Sequence, residues 1–235
     1  MNCKYLFLLI TLFASTFISA QRNNRYTVDP FNSNITYTIT SYGITEDEFN
    51  EADGSPYFDK EFKPGTIISG DKISKAYLRY NIFFEEIEIT QDPGSKDISA
   101  LRKEQGTKAT FDDRVFIYLL LGTGENQTGV YFQILSTGSQ FDLYMKSTVR
   151  YIPPFYGSTH LQHDKPGKFE ITNKFFLVSK AYKFIAIPEN HRTLLKLLSY
   201  KKKETKNFLK KNKIKLNNEE DVIKFVEYYN KVLKM

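Results

Sequence analysis

Residues 115–121 read VFIYLLL, an unbroken apolar run of about the length of a β-strand. Both alternating sets of positions in this run are apolar. A strand with this pattern must be covered on its two faces, because successive side chains of a strand point to opposite sides. The run therefore predicts a central strand of a sheet rather than an edge strand.

Shorter runs on both sides of it alternate apolar and polar residues, which predicts strands with one buried face. They are separated by turn residues such as DPGS at 92–95. Predicted strands lie at residues 66–69, 76–82, 86–89, 115–121, 130–135, 141–149, 168–172, 175–178 and 182–187. Residues 57–188 are thus predicted to be a mainly β (α+β) body: an antiparallel meander, sandwich or open barrel of 8–9 short strands. No βαβ alternation is present, which argues against a nucleotide-binding parallel sheet.

After Pro188 the apolar spacing changes to that of helices, and residues 189–235 are predicted to form two or three of them. Asn218 followed by Glu219 and Glu220 is typical of a helix start. The helix behind it carries one apolar stripe: Val222, Phe225, Val226, Tyr229, Val232 and Leu233. A stripe of this kind predicts that the basic helical subdomain packs on the sheet.

The first 20 residues have the order of a secretory signal peptide: Lys4, an apolar stretch at 5–13, and small Ala20 before Gln21. We expect cleavage between Ala20 and Gln21, and export to the periplasm, the outer cell surface or the medium. The chain's one cysteine, Cys3, lies in the removed part, so the mature chain can form no disulfide. Because Gln21 and not a cysteine follows the cut, a lipoprotein is not expected.

Residues 21–56 are predicted to be a polar N-terminal segment. Within it, residues 36–40 (TYTIT) alternate like a strand, and the acidic residues around 46–53 predict a solvated loop.

Two groups of residues resemble uncharacterised exported proteins of Gram-negative bacteria. One group is the FKPG at 62–65 with the LRYN at 78–81 and the EIE at 86–88. The other is the ending of the chain, from Lys215 through EEDVIK at 219–224 to YYN at 228–230. The resemblance implies a β-rich body with a lysine-rich helical C-terminus, and it implies no activity.

Positive charge is concentrated near the C-terminus. Residues 181–235 contain 14 Lys and Arg against 6 Asp and Glu, in a chain whose net charge is +6. Nine lysines are predicted to contact an anionic surface: Lys196, Lys201, Lys202, Lys203, Lys206, Lys210, Lys211, Lys213 and Lys215. The expected partner is anionic lipid, lipopolysaccharide or an acidic protein. Nucleic acid is not expected, because the protein is exported and lysine without arginine suits diffuse electrostatics rather than base reading. The alternative is that these lysines are only the solvated faces of helices.

No catalytic or cofactor motif occurs in the sequence, so neither an enzyme nor a bound cofactor is expected. The carboxylates of Glu86 and Glu88 lie about 7 Å apart on one strand face. They could serve a hydrolase of envelope polymers, or belong to a solvated strand face. Histidines 160 and 163 are spaced i, i+3 in a loop, which is poor geometry for a metal, and no metal site is predicted.

Tyr77, Arg79 and Asn81 alternate on the polar face of the predicted strand at 76–82. This face could bind a sugar or a peptide by aromatic stacking and hydrogen bonds. Alternatively, Arg79 pairs with Glu86 or Glu88 across a hairpin. Taken together, the sequence predicts a non-enzymatic exported binding or structural component of the cell envelope. The alternatives are the hydrolase and a secreted factor that binds another protein.

Overall fold

The computed structural model describes residues 44–122, 124–158 and 163–234. Three sequence predictions lie outside these ranges: the signal peptide at 1–20 with its cleavage between Ala20 and Gln21, the strand at 36–40, and His160. The described part contains four α-helices and a ten-stranded sheet, with one 3-10 turn at Gly124–Asn126.

The ten strands form one antiparallel sheet in the order β10-β9-β8-β7-β6-β5-β1-β2-β3-β4. Their bounds are β1 Lys63–Ser69, β2 Lys72–Asn81, β3 Glu86–Thr90, β4 Ser99–Ala100, β5 Lys108–Phe111, β6 Arg114–Leu121, β7 Thr128–Ser136, β8 Phe141–Ile152, β9 Lys168–Ser179 and β10 Phe184–Ala186. The predicted mainly β, antiparallel fold with C-terminal helices is confirmed. The sheet is open, since β10 and β4 end it. Two strands, β4 and β5, were not predicted, and the two strands expected at 168–172 and 175–178 are one.

The strand predicted to be central, now β6, is buried on both faces as expected. Phe116 and Tyr118 face one side, where they pack with residues of β1, β2, β3 and β7 such as Leu78 and Tyr131. The side chains at the alternate positions of β6 face the opposite side of the sheet, where they pack with Phe132, Tyr144 and Val178. This double burial follows from the sequence, because both alternating sets of β6 are apolar.

The sheet curls where β8 meets β7. These strands pair at Ile134↔Tyr144 and Ser136↔Leu143 with a register shift between the two pairs. The β8–β9 ladder continues for 12 residue pairs, and its far end reaches the turn between β2 and β3. There Phe83 meets Phe169 with ring centroids 6.1 Å apart, and the Nζ of Lys146 lies 3.0 Å from the carboxylate of Glu85. These side-chain contacts hold the curl together with the segment before β1, whose backbone bridges β9 at Asp53–Lys168 and β2 at Tyr57–Asn81.

The helices are α1 Glu46–Glu51, α2 His191–Leu197, α3 Lys202–Lys211 and α4 Glu219–Leu233. The prediction of a solvated loop at 46–53 is wrong for α1. Thr45 and Glu48 form a reciprocal capping box, which satisfies free backbone N–H groups at the helix start. Phe49 then packs edge-on against Phe169, with ring centroids 4.9 Å apart.

Helix α4 docks on the sheet through the apolar stripe recognised in the sequence. Val222, Phe225, Val226 and Tyr229 are buried, and Val232 and Leu233 are partly buried. They pack with Leu143 and Met145 of β8 and with Phe175 and Leu177 of β9. The lysine-bearing helix α3 rests on α4 in turn, since the rings of Phe208 and Tyr228 stack 3.9 Å apart.

One polar side chain, Asn230, ties α4 to the turn between β7 and β8. Its Oδ1 accepts hydrogen bonds from the backbone N–H groups of Gln140 and Phe141, each at 3.0 Å, and its Nδ2 donates to the carbonyl of Phe141 at 2.9 Å. A Cβ at Gly138 would lie 2.2 Å from this Nδ2. The turn therefore needs glycine there, so that the helix can approach.

Candidate functional site

The nine lysines singled out in the sequence all lie in the helical subdomain, and all nine are exposed. Helix α3 turns Thr205 and Leu209 inward, where they are buried, so its lysines are directed outward. Among the described residues, none of the nine lysines forms an ion pair. Their positive charge is therefore not neutralised by neighbouring carboxylates.

A groove of about 620 Å³ runs between α2 and α3. Its floor is apolar: Leu195 is partly buried and faces the groove, and the buried Leu209 and Ile214 lie behind it. Its rim is basic, and no carboxylate lines it. The basic residues of the rim are Arg192, Lys206, Lys210 and Lys213, with His191 beside them. This arrangement can hold an apolar chain below and an anionic group above.

The groove is shaped by the way α3 ends. Lys213 adopts the left-handed conformation, with φ of 51°. The N–H of Ile214 then donates to the carbonyl of Leu209 at 3.1 Å, and that of Lys213 to Lys210 at 3.3 Å. These two bonds are those of a Schellman motif, whose left-handed position is usually glycine. The Nε2–H of His191 donates to the carbonyl of Ile214 at 2.8 Å, which joins the start of α2 to the end of α3.

The end of α2 and the connection after it expose two large apolar side chains among lysines. Leu197 is 48% exposed and Tyr200 is 71% exposed. Lys196 precedes them, and Lys201 and Lys202 follow. A tyrosine and a leucine surrounded by lysines are suited to the boundary between lipid headgroups and acyl chains.

Arg79 and Glu88 form an ion pair beneath the surface of the sheet. Their Nε and Oε2 atoms are 2.5 Å apart, which confirms the predicted pairing across the β2–β3 hairpin. The other oxygen of Glu88 accepts a hydrogen bond from Asn81 at 2.8 Å. The guanidinium of Arg79 also contacts the rings of Tyr57 and Phe62, whose centroids are 4.4 and 4.3 Å away.

This cluster does not have the open face that sugar or peptide binding would need. Glu88 has no exposed side-chain surface and Asn81 is buried. The idea of a solvated strand face is therefore wrong for Glu88. Burial, and after it the charge of Glu88, raises the pKa of Tyr57 to about 12. The tyrosine thus stays neutral beside the ion pair at ordinary pH.

Glu86 lies nearer the surface, with its carboxylate 2.6 Å from the Nζ of Lys103. Burial raises the pKa of Glu86, although the neighbouring Lys103 opposes this effect. A hydrolase that works through a carboxylate pair needs both carboxylates to reach the substrate. Because Glu88 is enclosed and bound to Arg79, this pair does not have that arrangement.

The described part of the histidine loop carries His163 and Asp164, both exposed. Asp164 accepts a hydrogen bond from the N–H of Gly157 at 2.8 Å, which orders the loop. In the ranges the structure describes, no group of three or more His, Cys, Asp or Glu side chains is arranged to hold a metal ion.

Sequence reasoning identified the lysines but missed the groove. Arg192 and Leu195 come from α2, whereas Leu209 and Ile214 come from α3 and the residues after it, and no local pattern shows that α2 and α3 meet. One signal was available: Lys202, Lys206 and Lys210 recur every four residues, so they share one side of α3.

In comparisons with known proteins, no family model, curated protein or solved structure matches the chain. Over the described ranges, every helix is too short or too polar to cross a membrane.

Proposed function

We propose that the protein is a non-enzymatic exported binding component of the cell envelope, which contacts an anionic lipid surface through its helical subdomain. The observation that supports this most is the set of nine exposed lysines, without ion pairs to other described residues, on helices docked on the sheet. A docked helix holds its lysines in fixed positions, so several of them can meet one surface together.

The expected strength of this contact is modest. A lysine near an anionic bilayer contributes about 1 kcal/mol, and the effect falls off over a Debye length of about 8 Å at physiological salt. Four or five engaged lysines would give reversible, salt-sensitive binding. Leu197 and Tyr200 add an apolar contribution, and stable peripheral binding usually combines two such signals.

The exposed apolar pair also favours lipid over an acidic protein as the partner. A bilayer interface can take up Leu197 and the ring of Tyr200 while its anionic headgroups meet the lysines. Lysines precede and follow these two residues in the chain, so a membrane that contacts Leu197 and Tyr200 would also contact lysines.

Export is supported by the order of charged, apolar and small residues in 1–20. We expect the exported protein to begin at Gln21 or within two residues of it, which intact mass spectrometry measures. A mass that still contains Met1 to Ala20 would contradict this part of the proposal.

The lipid contact is tested by co-sedimentation with vesicles of phosphatidylcholine, with and without phosphatidylglycerol. Replacing Lys201, Lys202 and Lys203 with Gln should weaken binding to the anionic vesicles at least tenfold, because it removes three charges beside Tyr200. The same loss of charge on the sheet, with Lys75, Lys108 and Lys174 changed to Gln, is the matched control and should have little effect.

Two results would contradict the proposal. One is binding that ignores salt and the lipid charge. The other is equal weakening by the helix and sheet variants, which would mean that net charge alone matters. Absence of vesicle binding together with capture of an acidic protein by the same lysines would support the protein partner instead.

A further inference from the structure

We propose that the groove between α2 and α3 binds one molecule of a single-chain lipid with an anionic headgroup. The chain would lie along Leu195, with the buried Leu209 and Ile214 behind it, and the headgroup would meet the basic rim. This inference rests on the proposed function and deepens it, because it adds a site for one lipid molecule to the contact with a lipid surface.

The size and lining of the groove fit this ligand. Its volume of about 620 Å³ falls within the ~300–1,000 Å³ typical of sites for small molecules. Leu195 is only partly buried, so an apolar chain would cover surface that water now contacts. The methylene stems of Lys206 and Lys210 can extend this apolar surface while their ammonium groups stay at the rim.

The basic rim of the groove favours a ligand with an anionic headgroup. Four cationic side chains line the groove without a carboxylate among them. A neutral or cationic amphiphile would gain the apolar contact but would leave these four charges uncompensated. The site should therefore distinguish amphiphiles of the same chain length by the sign of their headgroup.

Lys213 offers a way to test the site. It occupies the left-handed position of the Schellman motif, where a side chain is strained and glycine is favoured. The lysine side chain there lines the groove, so the chain carries a cation at a position where stability alone would favour glycine. Sites that bind ligands often retain such locally unfavourable residues.

The experiment is titration calorimetry with dodecanoate, decanoate and dodecyltrimethylammonium, each below the concentration at which it forms micelles. We expect saturable binding of one dodecanoate per chain. Each methylene should change the affinity by roughly fourfold, so decanoate, which has two fewer, should bind about 15-fold more weakly. The cationic amphiphile should bind at least tenfold more weakly than dodecanoate.

The variant Lys213→Gly is expected to change dodecanoate binding and stability in opposite directions. It should raise the midpoint of urea unfolding, because it relieves the left-handed strain, and it should weaken dodecanoate binding several-fold. Lys215→Gln is the matched control, since it removes a neighbouring exposed charge that does not line the groove, and it should leave the affinity unchanged. Equal affinity in Lys213→Gly and the native chain would overturn the assignment of the headgroup.

Leu195→Trp fills the groove and should abolish dodecanoate binding. If this variant does not fold, Lys206→Glu with Lys210→Glu, both at exposed positions, tests the same site. The variants of the lysines at 201–203 should lose vesicle binding and keep dodecanoate binding. Vesicle binding without any saturable binding of dodecanoate overturns the groove proposal and leaves the surface contact standing.

Discussion

Replacing Glu88 with alanine is expected to lower the free energy of unfolding by about 3–5 kcal/mol, since removing one partner of a buried ion pair strands the other charge. Glu88 is fully buried, and the side chain of its partner Arg79 is only 18% exposed. Asn81 would also lose the acceptor of its Nδ2 group. The rings of Tyr57 and Phe62 would remain beside the guanidinium, but they cannot replace a carboxylate.

Urea denaturation followed by circular dichroism measures this loss. Glu170→Ala is the matched control, because Glu170 pairs with Arg150 at the surface of the same sheet. It should change stability little, as exposed pairs contribute little. The double change Arg79→Met with Glu88→Leu should recover most of the stability lost by Glu88→Ala. A Glu88→Ala protein as stable as Glu170→Ala would show that the buried pair is not needed.

The pairing of these residues was predictable, whereas their burial was not. Alternation in β2 and β3 places Arg79 and Glu88 on one face, and a hairpin brings them opposite each other. Burial depends on the segment before β1, which brings Tyr57 next to Asn81 in an isolated bridge. That contact joins residues 24 positions apart, and no pattern within either stretch indicates it.

Strand β5 likewise could not be predicted from the local sequence. Lys108–Phe111 is four residues long and half polar, so it has little strand signal of its own. It forms because β1 and β6 offer partners on its two sides. By contrast, the turn between β5 and β6, at Asp112 and Asp113, has a local sequence signal. Both residues have positive φ, as a tight two-residue hairpin turn requires, and Asp tolerates this conformation.

For the candidate site, helical periodicity was sufficient to place the lysines on exposed faces. It could not show the groove, because the groove depends on contacts between helices. The same periodicity identified the residues that dock α4, and this docking determines where the lysines can point.

We therefore expect Phe225→Ala to be the most damaging single change in the helical subdomain. Phe225 has no exposed surface and packs beside Tyr229, with ring centroids 5.9 Å apart, among side chains of β8 and β9. Truncating a buried phenylalanine to alanine costs about 3–5 kcal/mol, because transfer free energy is lost and a cavity remains. Lys224→Ala, at the exposed neighbouring position, is the matched control and should stay close to the native stability.

The effect should extend beyond stability to the arrangement of the lysines. Helix α3 rests on α4 through Phe208 and Tyr228, so loosening α4 from the sheet also loosens the surface that carries most of the lysines. In Phe225→Ala, proteases that cut after lysine should cleave residues 196–215 sooner than in the native chain, under conditions where the sheet stays intact. Cleavage at the native rate, with native stability, would mean that the stripe on α4 does not anchor the subdomain. The lysines would then have to be held in place by α2 alone.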